Sequence, residues 1–245
     1  MLAREFFRML PKILIGFVLL VVMTIPVILS YPRVVAHVHE LVSQGLARPE
    51  TLQRIEYPVF LGDQVGVSLV RFISVIVIFV TVGLISKEVS SGTIKVLLSF
   101  PTSRLRIYTE KAAAAVASIA ILDILIMIII FVVSGLVREP LSVGQVASIT
   151  LTLFAGHFFV TGFALFQSSL FDNIVKPAII TMLLLVIMPS FFRVGNARYF
   201  YYETYISITD AAVSGHTMPL NLAILFLVGI FFFSLGLLVF RQRSF

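Results

Sequence analysis

Long apolar runs alternate with shorter polar segments along the whole chain, and this pattern predicts membrane-spanning helices. A helix needs about 17–25 apolar residues to cross the hydrocarbon core of a bilayer, and it satisfies its backbone hydrogen bonds internally. Runs of this kind predict spans at residues 13–30, 66–85, 112–137, 145–168, 175–192 and 220–240. The expected fold is an all-α integral membrane protein with six transmembrane helices, in a single domain covering residues 1–245.

Two segments outside the predicted spans mix apolar and basic positions, which is typical of helices at a membrane surface. Residues 1–12 predict a short interfacial helix that ends at Pro11, because proline lacks the backbone N–H. Residues 87–111, between the second and third predicted spans, hold another. Its apolar stripe has helical spacing and consists of Val89, Thr93, Val96, Leu97 and Phe100. Pro101 is expected to end that helix, and Ser103 to cap the next one.

The composition favours the same class of protein. Hydrophobic residues make up 59% of the chain and charged residues 12%, against about 25% charged in soluble domains. The net charge of +6 does not indicate nucleic-acid binding, because the basic residues are not clustered on a soluble face. The chain has no cysteine, which excludes disulfides, thiol catalysis and cysteine metal sites.

The distribution of basic residues predicts which side of the membrane each loop occupies. With six spans, eleven of the eighteen Lys and Arg residues fall on the side of the N-terminus, and five of these lie in residues 87–111. Cytoplasmic loops carry an excess of Lys and Arg, so both termini and residues 87–111 are predicted to be cytoplasmic. The expected location is the cell (plasma) membrane, with its lipids as the surroundings.

The fourth predicted span is the least lipid-like of the six. Small residues recur at a spacing of four, at Gly144, Ser148, Thr152 and Gly156. Such a stripe lets a second helix approach closely. The partner helix could belong to the same subunit or to a second copy of the chain.

Three polar residues inside predicted spans are candidates for function. Asp123 is near the middle of the third span. Inserting an aspartate at that depth costs about 2.5–3.5 kcal/mol on insertion scales, so it is expected to face protein or water. Arg71 enters the second span to a similar depth, which predicts an Asp123–Arg71 pair. Asp123 acting as a proton carrier is the alternative. His157 either lines a translocation path or, as is commoner, bonds between helices.

The segment between the fifth and sixth predicted spans is rich in aromatic residues. These are Tyr199, Phe200, Tyr201, Tyr202 and Tyr205. Tyrosine marks the membrane–water interface, so the set predicts an aromatic belt on the outer side. A lid over an exit path is the alternative.

Residues 88–111 resemble a known family. The pattern is carried by Glu88, Gly92, Thr93, Leu97, Leu98, Ser99, Pro101, Ser103, Arg104, Ile107 and Lys111. It is similar to the cytoplasmic loop between the second and third spans of ABC-2 type transporter permeases, the membrane subunits of ATP-binding-cassette exporters. The rest of the chain matches that family only in its number of spans and its interfacial N-terminal helix. Lys95 departs from the family, which often has an acidic residue there.

The resemblance implies partners and residue roles. It implies a separate cytoplasmic ATPase subunit, which binds ATP and Mg²⁺, and either a second permease copy or a related permease. The loop would be a coupling helix docked on the ATPase, and Thr93 belongs to its pattern. The implied roles are apolar contacts for Leu97, Leu98 and Phe100, rim contacts for Glu88, Arg104 and Arg106, close backbone approach at Gly92, and a fixed bend at Pro101 and Ser103.

The chain lacks the motifs of several other functions. No G-x-x-x-x-G-K-[ST] sequence is present, so the chain itself cannot cradle ATP in a Walker loop, and no cofactor site of its own is expected. No nucleophile–base motif is present either, so the chain is not expected to be an enzyme by itself. Two functions remain: the ABC-2 permease, and a proton-coupled secondary transporter that uses Asp123 and Arg71 and needs no ATPase.

Overall fold

The computed structural model describes residues 2–99, 102–187 and 202–244, and the described residues contain no β-strand. The helices, in chain order, are α1 (Leu2–Ser43), α2 (Tyr57–Phe60), α3 (Val67–Thr81), α4 (Gly83–Ser90), α5 (Thr93–Ser99), α6 (Arg104–Leu136), α7 (Val143–Leu170), α8 (Val175–Met182), α9 (Ile208–Ser214) and α10 (Pro219–Gln242). Leu61–Gly66 and Leu183–Ile187 are π-helical, and Pro49–Thr51, Gln53–Ile55 and Tyr202–Tyr205 are 3₁₀-helical.

Five helices among the described residues are long and apolar enough to cross a membrane. They are Ala3–Ser43, Tyr57–Ser90, Arg104–Leu136, Val143–Leu170 and Pro219–Gln242. This confirms an all-α, multi-pass membrane protein. Five of the predicted spans fall within or largely within these helices. In the predicted span at 175–192, the described part is a shorter apolar helix, Val175–Ile187, and residues 188–192 lie outside the described part of the chain.

Contacts define two ends of the helix bundle. At the end called here the basic end, Arg104 Nη1 donates to the carbonyl of Arg243 at 2.6 Å, and Arg243 Nη1 donates to the carbonyl of Ser169 at 2.8 Å. Lys111 reaches back to Glu5 at this end, so both chain termini are there. At the opposite end, Gln145 Nε2 donates to the carbonyl of Ala212 at 2.6 Å.

The first helix is continuous, which corrects the predicted interfacial helix 1–12. α1 runs through Pro11, Pro26 and Pro32 without a break. A proline removes one backbone hydrogen bond, and neighbouring helices can hold a membrane helix together around it. Met9 and Ile13 flank Pro11 and are both buried in the core. Packing on both sides of the proline therefore keeps the helix going, and the predicted break at Pro11 is wrong.

The predicted single helix across residues 89–100 is also wrong. A turn at Gly92, with φ +71°, separates α4 from α5, because this left-handed conformation suits glycine and ends a helix. Within α5 the buried residue is Ile94, whereas Thr93 and Val96 face outward. Phe100, Pro101 and the side chain of Leu98 lie outside the part that the structure describes. Ser103 caps α6 as predicted, since its Oγ accepts from the Arg106 N–H.

The small-residue stripe of α7 packs within the chain. Ser148 and Thr152 are buried, Ser148 Oγ donates to the carbonyl of Ala211 at 2.9 Å, and Gly156 is in close contact with Ile206. The nearest backbone to Gly144 is that of Gly215, at the end of α9. The sequence left open whether the partner helix belongs to the same subunit or to a second copy, and the structure shows packing within the same subunit.

A second close contact, called here the glycine seam, joins α7 to α10 and was not predicted. A Cβ added at Gly162 would lie 2.7 Å from the carbonyl oxygen of Gly229, and one at Gly229 would lie 3.3 Å from the Cα of Phe159. The two backbones therefore nearly touch. Such close approach is how membrane helices gain van der Waals contact where there is no hydrophobic driving force between them.

Candidate functional site

The connection between the second and third membrane helices forms an exposed helix at the basic end. Four residues of α5 face outward: Thr93, Lys95, Val96 and Ser99. Ile94, with 1% of its surface exposed, anchors the helix in the core, and Leu97 is partly buried against it. Gly92 provides the turn before this helix, and a Cβ there would meet no atom of the chain within 4 Å; its predicted close approach to an ATPase stays a prediction.

A cluster of four charges holds the base of this connection. Lys111 Nζ lies 2.7 Å from Glu88 Oε1 and 3.0 Å from Glu5 Oε1, and Arg8 Nη1 lies 3.5 Å from Glu88 Oε1. Lys111 and Glu88 are only 1% and 3% exposed. Glu88 therefore points into the protein, and the predicted rim contact of Glu88 with an ATPase is wrong. In the structure Glu88 instead forms ion pairs within the protein.

The charge cluster is electrically balanced, with two cations and two carboxylates. Buried charges are tolerated only when paired, because removing each from water costs several kcal/mol. The four side chains come from three helices: Glu5 and Arg8 from α1, Glu88 from α4 and Lys111 from α6. The cluster therefore ties α4 to both α1 and α6. Arg8, with 49% of its side chain exposed, is the solvent-facing member.

A serine from α7 fills an interruption between α3 and α4. Ser168 Oγ donates to the carbonyl of Val82 at 2.6 Å and accepts from the backbone N–H groups of Ile85 and Ser86, at 3.2 and 3.0 Å. The carbonyl of Val82 also accepts from Ser86 Oγ at 2.6 Å. The second membrane helix thus has a joint, where the hydroxyls of Ser168 and Ser86 bond to the backbone, just before the segment that leads to α5.

The two arginines after the connection have different surroundings. Arg104 Nη1 donates to the carbonyls of Arg241 and Arg243, at 2.9 and 2.6 Å, and so caps the last turn of α10. Arg104 is half-buried, and its predicted rim contact with an ATPase stays a prediction. Arg106 is 69% exposed and pairs with Glu110 on its own helix at 2.8 Å, so it remains at the surface.

The predicted Asp123–Arg71 pair is wrong. Asp123 accepts from His157 Nδ1, at 2.9 and 3.1 Å from its two carboxylate oxygens, and both residues are fully buried. Arg71 instead pairs with Glu203, at 3.3 Å. Similar depth in two helices does not determine the direction in which each side chain points, and the Asp123 face of α6 is turned toward α7. The interpretation of His157 as a residue bonded between helices is confirmed.

One polar atom of the Asp123–His157 pair has no hydrogen-bond partner among the described residues. This atom, His157 Nε2, is buried. Two positions further along α7, Phe159 stacks on Tyr202, whose hydroxyl bonds to Ser74 Oγ at 2.8 Å. Burial raises the pKa of Tyr202. Tyr202 is therefore a core residue and not part of the predicted aromatic belt. Tyr199, Phe200 and Tyr201 of that prediction lie outside the described residues.

Comparison with known proteins adds no assignment. No protein-family model matches the chain, and no curated protein is significantly similar to it. Within residues 2–99, 102–187 and 202–244, no group of three or more His, Cys, Asp or Glu side chains could hold a metal ion.

Proposed function

We propose that the chain is the transmembrane permease subunit of an ABC-2 type transporter, which exports a substrate using ATP hydrolysis by a separate ATPase subunit. The main support for this proposal comes from the helix α5. It is a short helix between the second and third membrane helices, with outward-facing Lys95 and Val96, joined to the bundle at its base by the buried Glu88–Lys111 pair. A partner that moves α5 would therefore move α4 and α6 with it.

The proposal includes a sixth crossing with both termini in the cytoplasm. Arg243 Nη1 donates to the carbonyl of Phe171, so α7 ends at the basic end, and α8 begins there. Glu203 pairs with Arg71, and Thr209 bonds to Asp63 at 2.7 Å, toward the opposite end. The apolar helix Val175–Ile187 begins the proposed sixth crossing. The excess of Lys and Arg supports a cytoplasmic location for the basic end, and the proposed membrane is the plasma membrane.

The buried contacts suggest how force would pass through the subunit. Closure of two ATPases would displace α5, and the charge cluster would carry that displacement into α1 and α6. The joint at Val82, held by the Ser168 hydroxyl, is where α4 could tilt relative to α3. Tilting of these helices would change access at the interface with a second permease copy. Hinges of this kind absorb a change at a few positions while the rest moves as rigid bodies.

The test is to express the chain together with its genomic neighbourhood and to ask whether an ATPase copurifies with it. Val96→Asp places a charge on the outward face of α5, where Val96 is 58% exposed, and should reduce copurified ATPase at least about tenfold, since a charge without a partner in an apolar contact is costly. Val213→Asp, at a position 55% exposed on α9, is the matched control and should retain the ATPase. If the unaltered chain, Val96→Asp and Val213→Asp all copurify equal amounts of ATPase, docking through α5 is contradicted.

A second function is favoured by the buried Asp123–His157 pair. Ionisable residues inside a membrane protein are functional candidates, and His157 Nε2 is a buried site that could exchange a proton. A proton-coupled transporter would need no ATPase. The protein reconstituted alone in vesicles would then carry a proton flux, read with an internal pH-sensitive dye, and Asp123→Asn would abolish it. Vesicles that stay proton-tight would leave the pair with a structural role.

A further inference from the structure

An open groove lies between α6 and α10 on the membrane-facing side of the bundle. Its volume is about 390 Å³, its lining is mostly apolar, and Phe158 from α7 lies among its lining residues. Tyr108 closes one wall, because its hydroxyl donates to the carbonyl of Phe233 at 2.9 Å and leaves the ring as an apolar surface. A groove at this place in a membrane-spanning bundle faces acyl chains.

Two helical stripes run along the walls of the groove, and each ends in an arginine at the basic end. The stripe of α6 consists of Arg106, Thr109, Ala113 and Val116, and that of α10 consists of Ile230, Ser234, Leu237 and Arg241. Both follow the three-and-four spacing that keeps residues on one helix face. The hydroxyls of Thr109 and Ser234 bond to carbonyls of their own helices, at 2.9 and 2.8 Å, so the walls present little free polarity.

The two helix ends that carry these arginines are adjacent at the basic end of the groove, called here its mouth. Arg104 Nη1 donates to the carbonyl of Arg241, which brings the first turn of α6 beside the last turn of α10. The side chain of Arg241 is exposed and has no partner within the described part of the chain, while Arg106 gives its Nε to Glu110. With Arg104 included, this mouth carries more positive than negative charge.

We propose that the groove binds an anionic phospholipid of the leaflet at the basic end. One acyl chain lies between α6 and α10, and the phosphate lies between Arg106 and Arg241. Guanidinium groups match phosphate geometry with two parallel hydrogen bonds, and basic pockets between membrane helices are suited to anionic head groups. A second copy of the chain is a poorer occupant, because a two-fold contact through this face would bury the same arginines from both copies. The site is independent of the proposed transport function.

The test is lipid retention by the purified full chain. The protein is released from nanodiscs that contain equal amounts of phosphatidylglycerol and phosphatidylcholine. The lipids still bound to it are then identified by native mass spectrometry. We expect one strongly retained phosphatidylglycerol. Arg106→Gln with Arg241→Gln should weaken its binding about thirtyfold, since two surface cations are lost. Ala113→Phe should fill the groove and expel the lipid while leaving the arginines in place.

Matched variants separate this site from general lipid contact. Arg33→Gln with Arg48→Gln removes two exposed arginines elsewhere, and Ala117→Phe adds the same ring one turn beyond Ala113, outside the groove lining. Both should retain phosphatidylglycerol like the unaltered chain. Retention without head-group preference, or unchanged in the arginine double variant, would overturn the proposal. So would an efficient cross-link of Ala113→Cys between two copies in the membrane, which is readable because the chain has no other cysteine.

Discussion

The ammonium group of Lys111 lies 2.7 Å from a carboxylate oxygen of Glu88, and both side chains are almost completely shielded from solvent. The two residues bracket α5, since Glu88 lies on the helix before it and Lys111 on the helix after it. A buried ion pair contributes little net stability, but removal of one partner leaves an uncompensated charge. The pair therefore acts as a constraint on how the exposed helix is attached.

Replacing Lys111 by Met should destabilise the protein by about 3–5 kcal/mol, because Glu5 and Glu88 would lose their shared buried cation. Adding Glu88→Gln restores electrical balance with Glu5 and Arg8 and should recover most of the loss. Denaturant unfolding of the purified protein in detergent measures both effects. Lys95→Met removes an exposed lysine and should change stability by less than about 0.5 kcal/mol. A double variant as unstable as Lys111→Met alone would contradict the proposed charge balance.

A double-mutant cycle should show that Asp123 couples to His157 and not to Arg71. Asp123→Ala and His157→Ala each break the same buried contact, so their effects should fall short of additivity by about 0.5–3 kcal/mol. Asp123→Ala and Arg71→Ala have no shared contact and should add within about 0.5 kcal/mol. Unfolding in detergent gives all the required free energies. Strong coupling with Arg71 would revive the pairing that the sequence predicts.

These residues show which features the sequence could and could not predict. The membrane helices were predictable because apolar length is a local property of the chain. The capping of α6 by Ser103 was local as well. The continuity of α1 through Pro11 was not, because it depends on Met9 and Ile13 packing against other helices.

Partners of buried charges were the least predictable part of the site. Depth in the membrane can be estimated from the sequence, but the direction of each side chain around its helix axis cannot. Asp123 was therefore assigned the wrong partner. Glu88 was taken for a surface residue because its cations, Arg8 and Lys111, lie 80 and 23 positions away.

Gly162→Ala should destabilise the protein by about 1–3 kcal/mol, because the new methyl group would lie 2.7 Å from the carbonyl oxygen of Gly229 and backbone cannot easily move away. Gly135→Ala is the matched control, since a Cβ there meets nothing within 4 Å. It should be neutral or stabilise by up to about 1 kcal/mol, as alanine favours helix. Thermal unfolding of both variants makes the comparison. A destabilised Gly135→Ala with an unaffected Gly162→Ala would mean that the seam is not closely packed.

Ser168→Ala should loosen the joint between α3 and α4. Its hydroxyl accepts from the N–H groups of Ile85 and Ser86 and donates to the carbonyl of Val82, which also accepts from Ser86 Oγ. Each buried N–H left unpaired costs about 1–3 kcal/mol. Amide hydrogen exchange at residues 83–90 should therefore become at least about tenfold faster. Ser169→Ala is the control, because Ser169 Oγ bonds only to the carbonyl of Leu165 on its own helix, at 3.0 Å, and exchange at 83–90 should not change. If both variants exchange at the same rate, the hydroxyl of Ser168 does not hold the joint.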